Sequence, residues 1–262
     1  MQRALSLQKA IWAKMPCAAL QRRIITHSTS NQRFGLRTSC SAIDQSAPSL
    51  ELIAASPLAT QLVAHYFASS ILPGDAYLLY GEVGAGKSHF SRAFIRACLR
   101  DPTAPVPSPT FLLQNIYPTT TTSEERNPKS PAIHHFDLYR LGQPQDLHRL
   151  DLENSLPGCV SLIEWADRMD TTSGLIPEEY VALRITVLSE SEKQQELERA
   201  AIKSREAGQE ESSSDDDEEE NDDERWRRIE IWPKGERWRN RVEQLQQHVS
   251  ARGAALDLYL SS

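Results

Sequence analysis

Gly81-Glu82-Val83-Gly84-Ala85-Gly86-Lys87-Ser88 matches G-x-x-x-x-G-K-[ST]. At that spacing the glycines let the backbone turn with its N–H groups aimed inward around phosphate. Lys87 is placed to reach the β- and γ-phosphates of a nucleotide, and the Ser88 hydroxyl to ligate magnesium. Phosphoryl chemistry needs three further parts: a carboxylate for the metal, a group that orients the attacking water, and a segment that senses the γ-phosphate. Glu164 is the best candidate for the metal, since it ends an apolar run as a Walker B acid does, although most P-loop proteins use Asp there. Asp137 is the second carboxylate. Thr110, inside Ser108-Pro109-Thr110-Phe111, follows the P-loop helix where the switch segments of GTPases supply a threonine.

These residues need elements to position them. Ala76-Tyr77-Leu78-Leu79-Tyr80 reads as a buried strand running into the loop. Phe90, Ala93, Phe94, Ala97 and Cys98 fall at helical spacing after it, the stripe of a helix packed on a sheet. The spacing predicts a strand over Ser49 to Ala54, and then a helix capped by Ser56 with Pro57 first and Leu58, Leu62 and Tyr66 as its apolar face. Asp101 to Pro109 holds four prolines and reads as loop. Strands are expected over Phe111 to Tyr117, Ala132 to Tyr139 and Cys159 to Ile163, the last delivering Glu164 and Trp165 at its end. In the Ala132 strand, alternation puts one of His134 and His135 inward and one outward, neither as a ligand. Thr119 to Pro131 reads as an exposed hairpin insertion, and Gln143 to Asn154 as a short helical region. Tyr180 to Leu188 and Arg227 to Trp232 read as hairpin partners, and a last helix places Trp238, Val242, Leu245 and Val249 on one face. In open α/β sheets ligands bind beyond the carboxyl ends of the strands, where the P-loop, Asp137 and Glu164 all fall.

The composition is strongly segregated. Met1 to Ile43 carries seven basic residues and no acid, while Glu206 to Glu224 carries twelve acids and no base. The remainder is nearly neutral, so the net charge of −7 says little about partners. The Arg-rich, Ser/Thr-rich, acid-free start is the composition of an organelle transit peptide. Ala4, Leu7, Ile11 and Met15 make an apolar stripe that favours the mitochondrial matrix over the chloroplast stroma. Ser189 to Glu224 is charged and low in complexity, and is expected to be disordered. The expected organisation is therefore a disordered transit peptide over 1–46 and one α/β domain over 47–255, with a disordered acidic insertion at 189–224. The four cysteines include no C-x-x-C pair, so neither zinc nor a disulfide framework is expected. No run of 18 apolar residues occurs, and no membrane partner is expected.

At Leu79 to Ser88, Ser108-Pro109-Thr110-Phe111, His135-Phe136-Asp137-Leu138-Tyr139-Arg140-Leu141 and Leu162-Ile163-Glu164-Trp165 the chain resembles the TsaE (YjeE) family, ATPases that support threonylcarbamoyladenosine modification of tRNA. The likeness spans roughly residues 50–188 and 227–250. It implies a P-loop NTPase-type three-layer sandwich, with a central mixed sheet ending in antiparallel strands. It implies weak, magnesium-dependent ATP hydrolysis, with ATP and Mg2+ as cofactors. The partners it implies are the protein subunits of a tRNA threonylcarbamoyltransferase complex, with tRNA met indirectly and no DNA. Ser88 and Glu164 match the family's magnesium ligands and Lys87 its phosphate lysine. Asp137 and Trp165 match positions tied to its activity, and Thr60 a threonine near the nucleotide. Gly81, Gly84, Ala85, Gly86 and His89, the last through its backbone N–H, complete the ATP site with Thr110. Glu82 stands where the family usually has Asp.

A small-molecule or nucleoside kinase is the alternative, since many P-loop domains pass the γ-phosphate to an acceptor. Such kinases usually close an Arg-rich lid, and the candidate lid region here has only Arg149. A nucleotide-gated binding module is a third reading. A GTPase is disfavoured because no [NT]-K-x-D motif occurs. Arg225, Arg227, Arg228, Arg237, Arg239 and Arg241, with Trp226, Trp232 and Trp238, form the one basic cluster that could meet a partner or RNA.

Overall fold

The computed structural model describes residue 43 and residues 47–119, 131–141, 147, 150, 152, 156–169, 175–206, 225–253 and 257–261. The transit-peptide reading and the acidic run 207–224 lie outside these residues. So do most of the expected insertion at Thr119 to Pro131 and most of the helical region Gln143 to Asn154, Arg149 included.

The chain opens with strand β1 (Leu50–Ala54). Ser56 then caps helix α1 (Pro57–Ala68): its backbone is extended, and its Oγ accepts a hydrogen bond from the Ala59 N–H at 3.2 Å. Strand β2 (Ala76–Tyr80) is buried at all five positions. Helix α2 (Lys87–Leu99) follows the P-loop. Strands β3 (Gln114–Tyr117), β4 (Ile133–Asp137) and β5 (Val160–Glu164) come next. A 3-10 turn at Ala166–Arg168 leads toward β6 (Tyr180–Val187). Helix α3 (Glu190–Glu206), strand β7 (Arg227–Lys234), helix α4 (Glu236–Arg252) and strand β8 (Leu258–Leu260) complete the order.

One eight-stranded sheet has the order β3-β4-β5-β2-β6-β7-β1-β8. Its centre, β4-β5-β2-β6, is parallel. β3 adds antiparallel at one edge, and β7, β1 and β8 add antiparallel at the other. This is the mixed sheet with antiparallel edges that the family resemblance implies. β2 takes the central position expected of a strand buried on both faces. Under the helices lies an apolar cluster built on Phe67, Phe90, Phe94, Trp238 and Val242. The opposite face is covered differently. Leu138, Leu141, Ala166, Met169 and Leu175 pack there on Phe136 and Ile163, so the third layer consists of segments leaving β4 and β5.

Four expectations change. In α1 the buried residues are Ala59, Thr60, Val63, Ala64, Phe67 and Ala68, while Leu58 is exposed. The helix is apolar nearly all round, so periodicity alone does not choose its face, and the small side chains let α1 lie close to its neighbours. β3 begins at Gln114 rather than Phe111, since Phe111 and Leu112 stand exposed in a turn and Leu113 takes a left-handed backbone (φ 63°). Residues 190–206 form a helix where composition predicts disorder. Ser189 and Glu192 make a reciprocal cap: the Ser189 N–H donates to Glu192 Oε2 at 2.8 Å, and the Glu192 N–H donates to Ser189 Oγ at 3.3 Å. Arg228 then ties the helix to the sheet, forming an ion pair with Glu51 at 2.8 Å and donating to Glu192 at 3.2 Å and Glu196 at 3.5 Å. Finally, the arginine cluster is only partly on the surface: Arg227 and Arg241 are buried, Arg228 and Arg237 half-buried, and Arg225 and Arg239 exposed. Arg237 and Arg241 pair with the wholly buried Asp75, and Arg241 also donates to the Phe67 carbonyl at 2.7 Å.

Arg228→Ala is expected to free α3 without unfolding the sheet. Solvent-facing ion pairs contribute about 0–1 kcal/mol each, so losing these three is expected to cost about 1–2 kcal/mol in all and to lower the melting temperature by roughly 2–8 °C. Hydrogen exchange should show residues 190–206 losing protection while β6 and β7 keep theirs. Unchanged protection of α3 would refute the clamp.

Among the described residues no helix is long and apolar enough to cross a membrane.

Candidate functional site

Where β2 ends, Gly81 turns the chain with φ +136°, and a Cβ there would lie 2.2 Å from the Ile185 carbonyl oxygen. No other residue fits. Gly86 takes φ 118° as the residue before α2, and no side chain caps the helix. The N–H groups of the first turn are thus left for a ligand, and the helix dipole favours an anion there.

Lys87 is buried, its ammonium donating to the Gly81 carbonyl at 2.7 Å and the Glu82 carbonyl at 2.9 Å. The same ammonium stands 3.7 Å from the centre of the Trp165 ring. Burial pulls the Lys87 pKa below the usual lysine range, opposed by the carboxylates of Glu164 and then Asp137. Trp165 holds a left-handed backbone (φ 60°, ψ 45°), an uncommon conformation for a bulky residue. Its ring rests on Tyr139, centre to centre 4.8 Å.

Alternation along two paired strands sets out the acids. Glu164 follows Val160 and Leu162 on the helix face of β5, and Asp137 follows Ile133 and His135 on the same face of β4. The register pairs Asp137 with Glu164 across the ladder. Glu164 is 1% exposed. Its Oε2 accepts the Ser88 hydroxyl at 2.7 Å, and its Oε1 lies 2.7 Å from His135 Nε2. Asp137 Oδ2 accepts from Thr110 Oγ1 at 2.5 Å and from Ser108 Oγ at 3.0 Å, while Oδ1 accepts the Tyr139 N–H at 3.0 Å. Asp137 therefore holds the loop after α2 and begins the next turn.

A cavity of about 460 Å³ opens over this ground, lined among others by Gly84, Gly86, Lys87, Ser88, Asp137 and Trp165. His89, Arg92 and Arg227 also face it, so the walls carry more cationic than anionic groups, as a polyanion requires. Ser88 and Glu164 are in contact, and a hydroxyl beside a carboxylate suits a hard cation. Among the described residues no three His, Cys, Asp or Glu come together as a metal cage. A magnesium ion held here would complete its shell with phosphate oxygens and water, its usual manner.

The structure brings together most residues that the motifs single out. Gly84, Gly86, Lys87, Ser88, His89, Thr110, Asp137 and Trp165 line the cavity, and Glu164 stands behind Ser88. Gly81 and Ala85 shape the loop from behind, each offering a carbonyl to a basic side chain. Thr60 is not among the cavity's walls. It is wholly buried in α1, its hydroxyl oxygen without a hydrogen-bond partner among the described residues.

Two residues escape the sequence reading. His135 is the inward histidine of β4 and a direct neighbour of Glu164; its position two residues before Asp137 is the signal that marks it. Arg227 begins β7, lines the cavity, and donates from Nε to the Ala85 carbonyl of the P-loop at 3.0 Å. No local pattern in the sequence joins it to a loop 142 residues away.

Comparison with known proteins gives a consistent result. The family model described as "Threonylcarbamoyl adenosine biosynthesis protein TsaE" matches residues 54–198. The tRNA threonylcarbamoyladenosine biosynthesis protein TsaE of Rickettsia felis is 33% identical over 134 residues, which is 51% of this chain and 71% of that protein. Its counterpart in Rickettsia bellii is 31% identical over 134 residues, covering 51% and 84%. The crystal structure of YdiB from Bacillus subtilis aligns with a TM-score of 0.46 and 23% identity over 76% of this chain and 95% of that one.

Proposed function

This chain belongs to the TsaE family and takes part in tRNA threonylcarbamoyladenosine biosynthesis, and we propose that it does so as a magnesium-dependent ATPase. The observation that carries this reading is the contact of the P-loop Ser88 with the buried Glu164, beside Lys87. A buried carboxylate that accepts bonds from a hydroxyl and an imidazole remains short of positive charge, which a cation supplies.

The geometry supports the following roles. The P-loop amides and the start of α2 cradle the phosphates. Lys87 leaves the Gly81 and Glu82 carbonyls for the β- and γ-phosphates. Ser88 and Glu164 would hold magnesium, which would supply positive charge to the phosphate oxygens. Asp137 orients the attacking water, or holds Thr110 and Ser108 where they respond to the γ-phosphate. Trp165 covers Lys87 and limits water at the reacting end.

The partners proposed are the protein subunits of a tRNA threonylcarbamoyltransferase complex, which attaches threonylcarbamoyl to the adenosine beside the anticodon, with tRNA reached through them. The basic, acid-free residues 1–43 support import into an organelle, the mitochondrial matrix first and the chloroplast stroma second.

The test is phosphate release and ATP binding by the full chain. Wild type is expected to hydrolyse ATP slowly in magnesium and faster with the transferase subunits present. Lys87→Ala is expected to weaken ATP binding by about 10- to 100-fold, the worth of a hydrogen bond to a charged group. Equal ATP affinity in Lys87→Ala and wild type would refute the site.

A further inference from the structure

Below Glu164 on the same sheet face sits a buried histidine that the phosphate chemistry has not used. His135 is 0% exposed, and its Nε2 lies 2.7 Å from Glu164 Oε1. An ionised carboxylate only accepts, so Nε2 carries the proton and donates. The other ring nitrogen, Nδ1, has no partner among the described residues. The hydrogen bond thus aims the His135 ring at one oxygen of Glu164.

This arrangement divides the two carboxylate oxygens. Oε1 is held from below by His135, and Oε2 is left facing Ser88. His135 is in register with Leu162 and shares its sheet face with Ile133 and Val160 of the buried apolar cluster. Among the described residues, Oε2 is the oxygen that meets a P-loop group, accepting the Ser88 hydroxyl.

We propose that His135 is a positioning residue for the divalent-cation site: it fixes the Glu164 carboxylate so that Oε2 and the Ser88 hydroxyl form one side of that site. The proposal rests on the magnesium-dependent reading above. It makes the cation, rather than the nucleotide, the species whose binding His135 governs. A histidine that only filled space would affect fold and both ligands alike.

The test is the magnesium concentration at which a ribose-labelled fluorescent ATP analogue binds tightly to the full chain, alongside its affinity in EDTA. In His135→Asn the amide occupies the place of Nδ1 and falls short of Glu164. Its magnesium midpoint is expected to rise about tenfold or more, the range for an outer partner of a metal ligand, with affinity in EDTA within about twofold of wild type. In His135→Gln the amide nitrogen reaches the place of Nε2, and the midpoint is expected to stay within about threefold of wild type. His135→Ser, equally unable to reach, gives the same reading should His135→Asn not fold. A midpoint in the donor-less variant equal to that of wild type overturns the proposal. So does an equal shift in the Asn and Gln variants, or a loss in EDTA matching the loss in magnesium. A wild-type chain whose analogue binding ignores magnesium overturns the magnesium-dependent reading and this proposal with it; wild-type dependence with an unaffected variant overturns this proposal alone.

Discussion

Glu164→Gln is expected to hydrolyse ATP at least about a hundredfold more slowly than wild type, the scale of removing one preorganised electrostatic group, while melting no earlier than wild type. The amide keeps the volume of the carboxylate and can satisfy both Ser88 and His135, each of which lies within 2.7 Å of it. What it loses is charge. A carboxylate buried to 1% exposure carries a large desolvation cost, and its neighbours here are a hydroxyl, an imidazole and an ammonium already bonded to two carbonyls. Removing that charge relieves the fold and disables the cation site, the usual trade between stability and activity. Phosphate release and thermal melting on the same preparations check both halves. A Glu164→Gln chain that is less stable and fully active would mean that Glu164 serves the fold.

The opposite pattern is expected at Asp75. This residue precedes β2 and is wholly buried, pairing with Arg237 and Arg241 and accepting the Leu72 N–H at 2.9 Å. Arg241 in turn donates to the Phe67 carbonyl and the Tyr77 hydroxyl, tying α4 to α1 and β2. Asp75→Ala strands the Arg241 guanidinium, itself 8% exposed, without its counter-charge. Breaking a buried pair by removing one partner costs about 3–5 kcal/mol, or a melting temperature lower by roughly 10 °C for a domain of this size. The affinity of the folded protein for ATP should not change, because no residue of this network lines the phosphate cavity. Thermal melting and nucleotide binding measured together separate the two effects. A melting temperature within a degree or two of wild type would show that the pair contributes nothing net.

The contrast between these two acids shows what the sequence makes legible. The P-loop and the carboxylate ends of β4 and β5 are local patterns that can be read directly, whereas the register that sets Glu164 and Asp137 on one face comes with the fold. The antiparallel edges followed from the resemblance, and the pairing of β6 with β7 from the β-like runs Tyr180 to Leu188 and Arg227 to Trp232. Arg237 and Arg241 read as a surface cluster because their acid lies 162 and 166 residues earlier, and charge composition carries no partner information across that distance. Helix α3 was hidden for a different reason. Its composition is that of a disordered segment, and the reciprocal cap of Ser189 and Glu192 outweighs it only with Arg228 holding the helix from β7. The face of α1 was ambiguous because apolar residues surround it. His135 was half visible: alternation marks one histidine of the pair as inward, but not that Glu164 would be its neighbour.

The most direct test of the account is threonylcarbamoyladenosine formation on tRNA by a reconstituted transferase system supplied with wild type or Glu164→Gln. The account predicts sustained modification with wild type, ATP hydrolysis raised by the complex, and loss of both with Glu164→Gln despite an intact fold. Sustained modification at the wild-type level by a Glu164→Gln chain that no longer hydrolyses ATP would contradict it.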